Sequence, residues 1–182
     1  MMKFVNFMLL FALMGVNTLF ATAFKVDKEN SEVAFSIRHA VVAKVHGEFK
    51  DFSGTYDYDD TLKHFNSFKG DVQIASIDTK DIYRDNHLKL KVFDVDIYPS
   101  MDIKLIKQDG SDFLAMLTIK GISKEVNFNI AFSPEEESIF ILTGKISRKD
   151  FNLKFSDTAE VGGIAVGDEI KINIHFKGIK ID

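Results

Sequence analysis

Arg84, Asp85 and His87 set a guanidinium, a carboxylate and an imidazole within four residues, at the head of the stretch RDNHLKLKVFDVDIYP. Such a group offers a cation for a phosphate or carboxylate and an imidazole for proton transfer. A general base, however, needs a nucleophile or a metal to act on, and no Ser elbow, H-E-x-x-H pair or clustered carboxylate–imidazole set accompanies it. Arg84 and Asp85 therefore read as charges that fix a junction, while Arg84 or His87 is left to meet a polar head group. His39 falls on the inward parity of a strand, where a lone histidine is either a hydrogen-bonded core residue or a third polar contact. His46, His64 and His175 share no ligand spacing, so no metal is expected. The Gly-rich VGGIAVGD lacks the Lys-Ser/Thr pair of a phosphate loop. The charges at Arg148–Asp150 and Glu135–Glu137 read as solvated turns, and no cofactor is implied. The absence of cysteine excludes thiol catalysis, thiolate metal sites and disulfides.

The elements that must position these residues have a period of two, the signature of strands with one buried face. Val33, Phe35, Ile37 and His39 share a parity, as do Val45, Gly47 and Phe49, then Phe52, Gly54, Tyr56 and Tyr58. The parity change between Phe49 and Phe52 calls for a β-bulge near Lys50 and Asp51. Phe68 to Ile74, Met101 to Leu105, Phe113 to Ile119, Val126 to Phe132, Phe140 to Ile146 and Ile170 to Phe176 continue the alternation. Asp109-Gly110 is the strongest local hairpin signal. About eight antiparallel strands result, and closing them removes two exposed edges and covers a Phe-rich face. The fold class is all-β: an eight-stranded antiparallel barrel whose interior is either filled by side chains or holds one small ligand. The break in the pattern, Asp78 to Ile97, predicts a helical lid across one barrel mouth, capped by Asp78 or Thr79 and ended before Pro99. Ile82, Leu88 and Val92 recur on it at roughly helical spacing.

The N-terminus bounds the compartment. One Lys, an uncharged apolar run from Phe4 to Leu19 and Ala21-Thr22-Ala23 form a cleavable signal peptide over residues 1–23, cut after Ala23, with no stable membrane insertion afterwards. Residues 24–182 then make one domain. Without Lys3, 22 basic side chains face 27 acidic ones, a net charge of −5, which argues against nucleic acid or an anionic membrane surface as the main partner.

Several blocks in order carry a resemblance: VDKENSEVAFSIRH, GEFKDFSGTY, RDNHL with YP, LTIKGISKEV, GKISRKDFNL and VGDEIKINI. Together they span residues 26–174 and resemble the YceI family, bacterial, mostly periplasmic, lipid-binding β-barrels. Leu90 and Val92-Phe93 depart from the family's commoner Ser and Phe pair, in a segment one residue shorter, which bears on the shape of the mouth. The resemblance implies a lipocalin-like barrel holding a polyisoprenoid or fatty-acid derivative, with a homodimer as a family-level expectation. On that implication the ligand contacts are Phe35 and Ile37, Phe49, Val72 and Ile74, Leu88 and Phe93 of the lid, Ile103 and Leu105, Leu117 and Ile119, Phe128 and Ile130, Leu142 and Ile146, and Ile172 and Ile174. His39, Arg84 and His87 are the candidate head-group contacts. Gly70, Ala115 and Gly144, small residues on the inward parity, either leave room for a chain or relieve curvature in a filled core. The leading expectation is a non-enzymatic periplasmic carrier. An enzyme using His39 or His87 on an isoprenoid-like lipid, and a filled barrel acting through protein partners in stress response, are the alternatives.

Overall fold

The structure, a computed structural model, describes residues 22–39, 43–132, 139–155 and 166–181. The leader up to Ala21, the Glu135–Glu137 turn and most of VGGIAVGD lie outside the described residues.

Among the described residues, eleven strands form eight staves of a closed barrel. β1 (Thr22–Val26) and β2 (Glu32–His39) are two lengths of one stave, separated by a 3-10 turn at Lys28–Asn30 that Asp27 caps. β3 (Ala43–Phe49) and β4 (Phe52–Asp59) form the next. β3 pairs with β2, whereas β4 pairs with β1. β5 (His64–Gln73) follows, with the two-residue β6 (Ile77–Asp78) continuing along β3. After the lid come β7 (Ser100–Asp109), which pairs antiparallel with β5, and then β8 (Asp112–Ile119), β9 (Ile122–Phe132) and β10 (Ile139–Ser147), each pairing antiparallel with its predecessor. β11 (Val166–Lys180) closes the barrel: one edge pairs with β10 and the other with β2 and β1. Closure leaves no long sheet edge along these staves, the negative-edge problem that the alternation posed.

The alternation predicted from sequence places its apolar positions inward, with local differences. The parity change at Phe49 and Phe52 is made by Lys50 and Asp51 stepping out of the ladder. Lys50 N–H donates to Ser76 O and Asp51 O accepts from Gln73 N–H, so both phenylalanines stay buried. The hairpin at Asp109-Gly110 exists, but Asp109 is paired with Asp112 and the two turn residues are Gly110 and Ser111. β1 was not legible as a strand, because its sequence overlaps the end of the apolar leader.

The core is unevenly distributed along the barrel axis. Near the β1 end, Tyr56, Phe65, Phe68, Phe113, Phe140 and Phe176 fill the lumen with rings at centroid separations of 4.8–6.3 Å, mostly tilted or edge-on. The inward glycines are filled by their neighbours. Phe128 lies on Gly144, the Phe35 ring covers Gly47, and Ile103 reaches within 3.0 Å of a Cβ built at Gly70. Ala115 is wholly buried. These small residues therefore accommodate large neighbours and do not leave a free channel.

Candidate functional site

The opposite end of the barrel is covered by α1 (Ile82–His87), which runs on as a π-helical turn at Leu88–Val92. Its N-cap is Asp81, whose Oδ1 accepts from the N–H groups of Tyr83 and Arg84; Asp78 and Thr79, the caps expected from sequence, have other work. Asp85 turns back, and one of its oxygens accepts from both Thr79 N–H at 2.9 Å and Thr79 Oγ1 at 2.6 Å. Arg84 grips the same residue from the other side, Nε donating to Thr79 Oγ1 and a terminal nitrogen to Thr79 O. The two charges thus fix the lid to the end of β6, both through Thr79. At its far end the lid stops where Asp94 adopts the left-handed conformation, with Val95 N–H returning to Lys89 O. Lys120 Nζ donates to Val92 O and pairs with Asp94, tying that end to the β8–β9 turn.

Leu88, Val92 and Phe93 point into the barrel, while Ile82, Tyr83 and Leu90 face outward. Ile82 is therefore off the face that Leu88 and Val92 share: six residues separate it from Leu88, about one and two-thirds helical turns, so the spacing read from sequence does not bring it inward. Beneath the lid lies a cavity of about 220 Å³. Among the described residues its lining is apolar apart from Arg84 and His87, which stand three residues apart on one helical face. A second cavity of about 70 Å³ lies deeper, and Phe35, Phe49, Met101, Ile119 and Ile172 border both.

Of the residues expected from sequence, Phe35, Ile37, Phe49, Leu88, Phe93, Ile119, Ile146 and Ile172 line the upper cavity, together with Arg84 and His87. Val72, Ile103, Leu117, Phe128 and Ile174 border only the lower one. Ile74, Leu105, Ile130 and Leu142 line neither; Ile74, Ile130 and Leu142 are packed in the solid core and Leu105 against it. His39 ends β2 opposite Ala43 and Val166, and its side chain lies outside the described residues. Sequence reasoning missed Val45, Val92, Met101, Leu153, Phe155, Val166 and Ile170 in the upper lining. Val45, Met101 and Ile170 share the inward parity and were legible. Leu153 and Phe155 follow the 3-10 turn Arg148–Phe151 and had no strand period to reveal them.

Chemically, this lining suits an apolar chain with one polar end. Among the described residues it presents no Ser, Thr, Cys, Asp or Glu, and no group of metal-ligating side chains occurs. No helix among the described residues is long and apolar enough to cross a membrane.

The sequence matches the model of the YceI-like domain over residues 24–178. The chain belongs to this family. Among its relatives is a UPF0312 protein of Staphylococcus aureus (strain MSSA476), 31% identical over 161 residues, covering 82% of this chain and 93% of the relative. Among solved structures, the YCEI protein of Campylobacter jejuni is 28% identical with a TM-score of 0.60, covering 80% of this chain and 90% of that one. The fold is shared with BcnA of Burkholderia cenocepacia, at a TM-score of 0.67, 23% identity and coverage of 83% and 98%. It is also shared with a polyisoprenoid binding domain from Saccharophagus degradans implicated in plant cell wall breakdown, at 0.69, 12% identity and coverage of 88% and 99%. YceI-like barrels thus share the eight closed staves described above.

Proposed function

We propose that this YceI-like protein is a non-enzymatic carrier that binds an amphipathic lipid, with a polyisoprenoid or fatty-acyl tail, beneath its helical lid. The observation that carries the reading is a lidded cavity walled by apolar side chains, with Arg84 and His87 alone among the described residues supplying polar groups. The polyisoprenoid-binding description of the Saccharophagus domain supports the same ligand class. Each methylene moved from water into such a lining contributes about 0.8 kcal/mol, against the entropy costs of association. Affinity is then dominated by the tail, and a guanidinium at the mouth selects a carboxylate or phosphate head. The signal-like N-terminus supports a periplasmic carrier, with cleavage after Ala23 leaving Phe24 as its first residue.

The test is native and denaturing mass spectrometry of protein purified from its own organism without detergent, followed by solvent extraction. An apolar molecule at one per chain, lost in folded Ile170→Asp, is expected. An empty protein that also refuses isoprenoid and fatty-acyl probes overturns the carrier reading in favour of a barrel that works through protein partners. Turnover of the extracted lipid that disappears in His87→Ala establishes the enzyme reading instead.

A further inference from the structure

The lid buries one apolar face in the barrel and leaves a second in water, where a surface helix is ordinarily polar. Nine large apolar side chains are exposed among the described residues, and four of them, Ile82, Tyr83, Leu90 and Ile97, fall within residues 82–97 over the barrel mouth. Tyr83, at 86%, is the most exposed of the nine. Leu90 follows Tyr83 by about two helical turns, and Val95 N–H bonded to Lys89 O holds the turn that carries Ile97 beside the helix end.

The charges around this face are sorted. Most lid carboxylates are engaged within the protein: Asp81 caps α1, Asp85 holds Thr79 and Asp94 pairs with Lys120, which leaves Asp96. The ammonium groups of Lys89 and Lys91, on either side of Leu90, have no partner among the described residues. Nor have those of Lys44, one residue into β3, and Lys154, between the lining residues Leu153 and Phe155. At the opposite end of the barrel the turns at residues 59–64 and 109–112 carry four aspartates against Lys63 alone. Free positive charge therefore gathers at the mouth, beside the exposed apolar side chains.

We infer that the outer face of the lid docks reversibly on an anionic lipid surface, setting the barrel mouth against the bilayer with which it exchanges cargo. Tyr83 and Leu90 enter the headgroup region, the phenol keeping its hydroxyl in water, while Lys89 and Lys91 reach the phosphates on their flexible stems. The acidic remainder of the barrel is repelled by the same surface, which confines the contact to this end and keeps it weak. The loading role rests on the carrier reading above and deepens it. One short helix then touches cargo through Leu88, Val92 and Phe93 and the bilayer through its other side.

The chain has no tryptophan, so one introduced at a chosen site reports on that site alone. Tyr83→Trp and, in the turn at the opposite end, Leu62→Trp are made in the full mature chain, both at exposed positions. Each is titrated with vesicles of phosphatidylcholine alone and of phosphatidylcholine mixed equally with phosphatidylglycerol. On the mixed vesicles at low salt the Tyr83→Trp emission should shift to the blue and be quenched by brominated lipid, with Leu62→Trp unchanged. Lys89→Gln and Lys91→Gln should each weaken vesicle binding about fivefold, and uptake of an apolar probe should stay as in the parent, since neither lysine lines the cavity. Equal responses at the two sites show adsorption without orientation and overturn the inference. No response at either site, in protein that still takes up the probe, overturns docking and leaves the carrier reading standing. Vesicle binding by a protein that takes up no probe overturns the loading role together with the carrier reading. A blue shift of Tyr83→Trp that grows with protein concentration in the absence of vesicles gives the face to a second copy of the chain and overturns the membrane assignment. Finally, transfer of a fluorescent fatty acid from the protein should quicken as mixed vesicles are added, and a rate independent of vesicle concentration shows release through water and overturns the loading role.

Discussion

Replacing Asp85 by Ala should unfasten the lid and destabilise the whole barrel. Asp85 and Thr79 are 6% and 3% exposed, so water does not replace what the carboxylate supplies. Thr79 Oγ1 accepts from Arg84 Nε and must therefore donate to Asp85, while Thr79 N–H has the same acceptor. The variant orphans both donors, while the Arg84 pair with Asp81 at 3.9 Å is untouched. Hydrogen bonds to a charged group contribute about 1.5–3 kcal/mol each, so the loss of two should come to about 3–6 kcal/mol. That is a large fraction of the roughly 5–15 kcal/mol by which domains are stable. Asp85→Asn keeps an acceptor oxygen and should lose about half as much. The assay is equilibrium urea unfolding followed by far-ultraviolet dichroism, with release of an apolar probe measured on the folded protein. Midpoints within 1 kcal/mol of the parent for Asp85→Ala, with unchanged probe release, would refute the argument that the Thr79 network holds the lid.

Two further outcomes follow from the ends of the barrel. Lys120→Ala removes the bond to Val92 O at 2.9 Å and the pair with Asp94, and should cost about 2 kcal/mol. It should also speed amide exchange at Phe93 and Val95 and accelerate probe release, and exchange equal to the parent's would show that the tie does not restrain the lid. Burial, reinforced by the charges of Asp60 and Asp59, pushes the Tyr58 phenol up to about 12, while burial pushes Tyr56 up as well. The unfolded phenol titrates near about 10, so stability from this group is complete below that pH and is lost as pH rises towards 12. Tyr58→Phe should flatten the fall in melting temperature between those values. At neutral pH it should leave melting unchanged or raised, since the hydroxyl is buried with no hydrogen-bond partner among the described residues. A parallel fall for parent and variant would remove Tyr58 from the account.

The staves, their inward faces and the closure of the sheet were determined by the sequence itself. A period of two admits only one assignment of faces once one of them is buried, and a one-residue slip would expose every Phe along a stave. The break from Asp78 to Ile97 likewise announced a lid, because no strand period runs through it. Tertiary structure decided the depth of each inward residue. Parity says that Leu142 and Ile172 both face the lumen, yet Leu142 is wholly buried in the core and Ile172 borders both cavities. That difference depends on the stagger of neighbouring staves and on where large rings come to rest. Gly144 reads alone as vacant space and is covered by Phe128, which lies directly across the β9–β10 ladder from it. The cap was decided at the same level: Asp78, Thr79 and Asp81 are all suitable residues by type. Asp81 takes the role because Thr79 is held by Asp85 and Arg84, and Asp78 bonds Lys80 instead. Local chemistry offers several partners to each polar group, and only the folded chain fixes which partner is within reach.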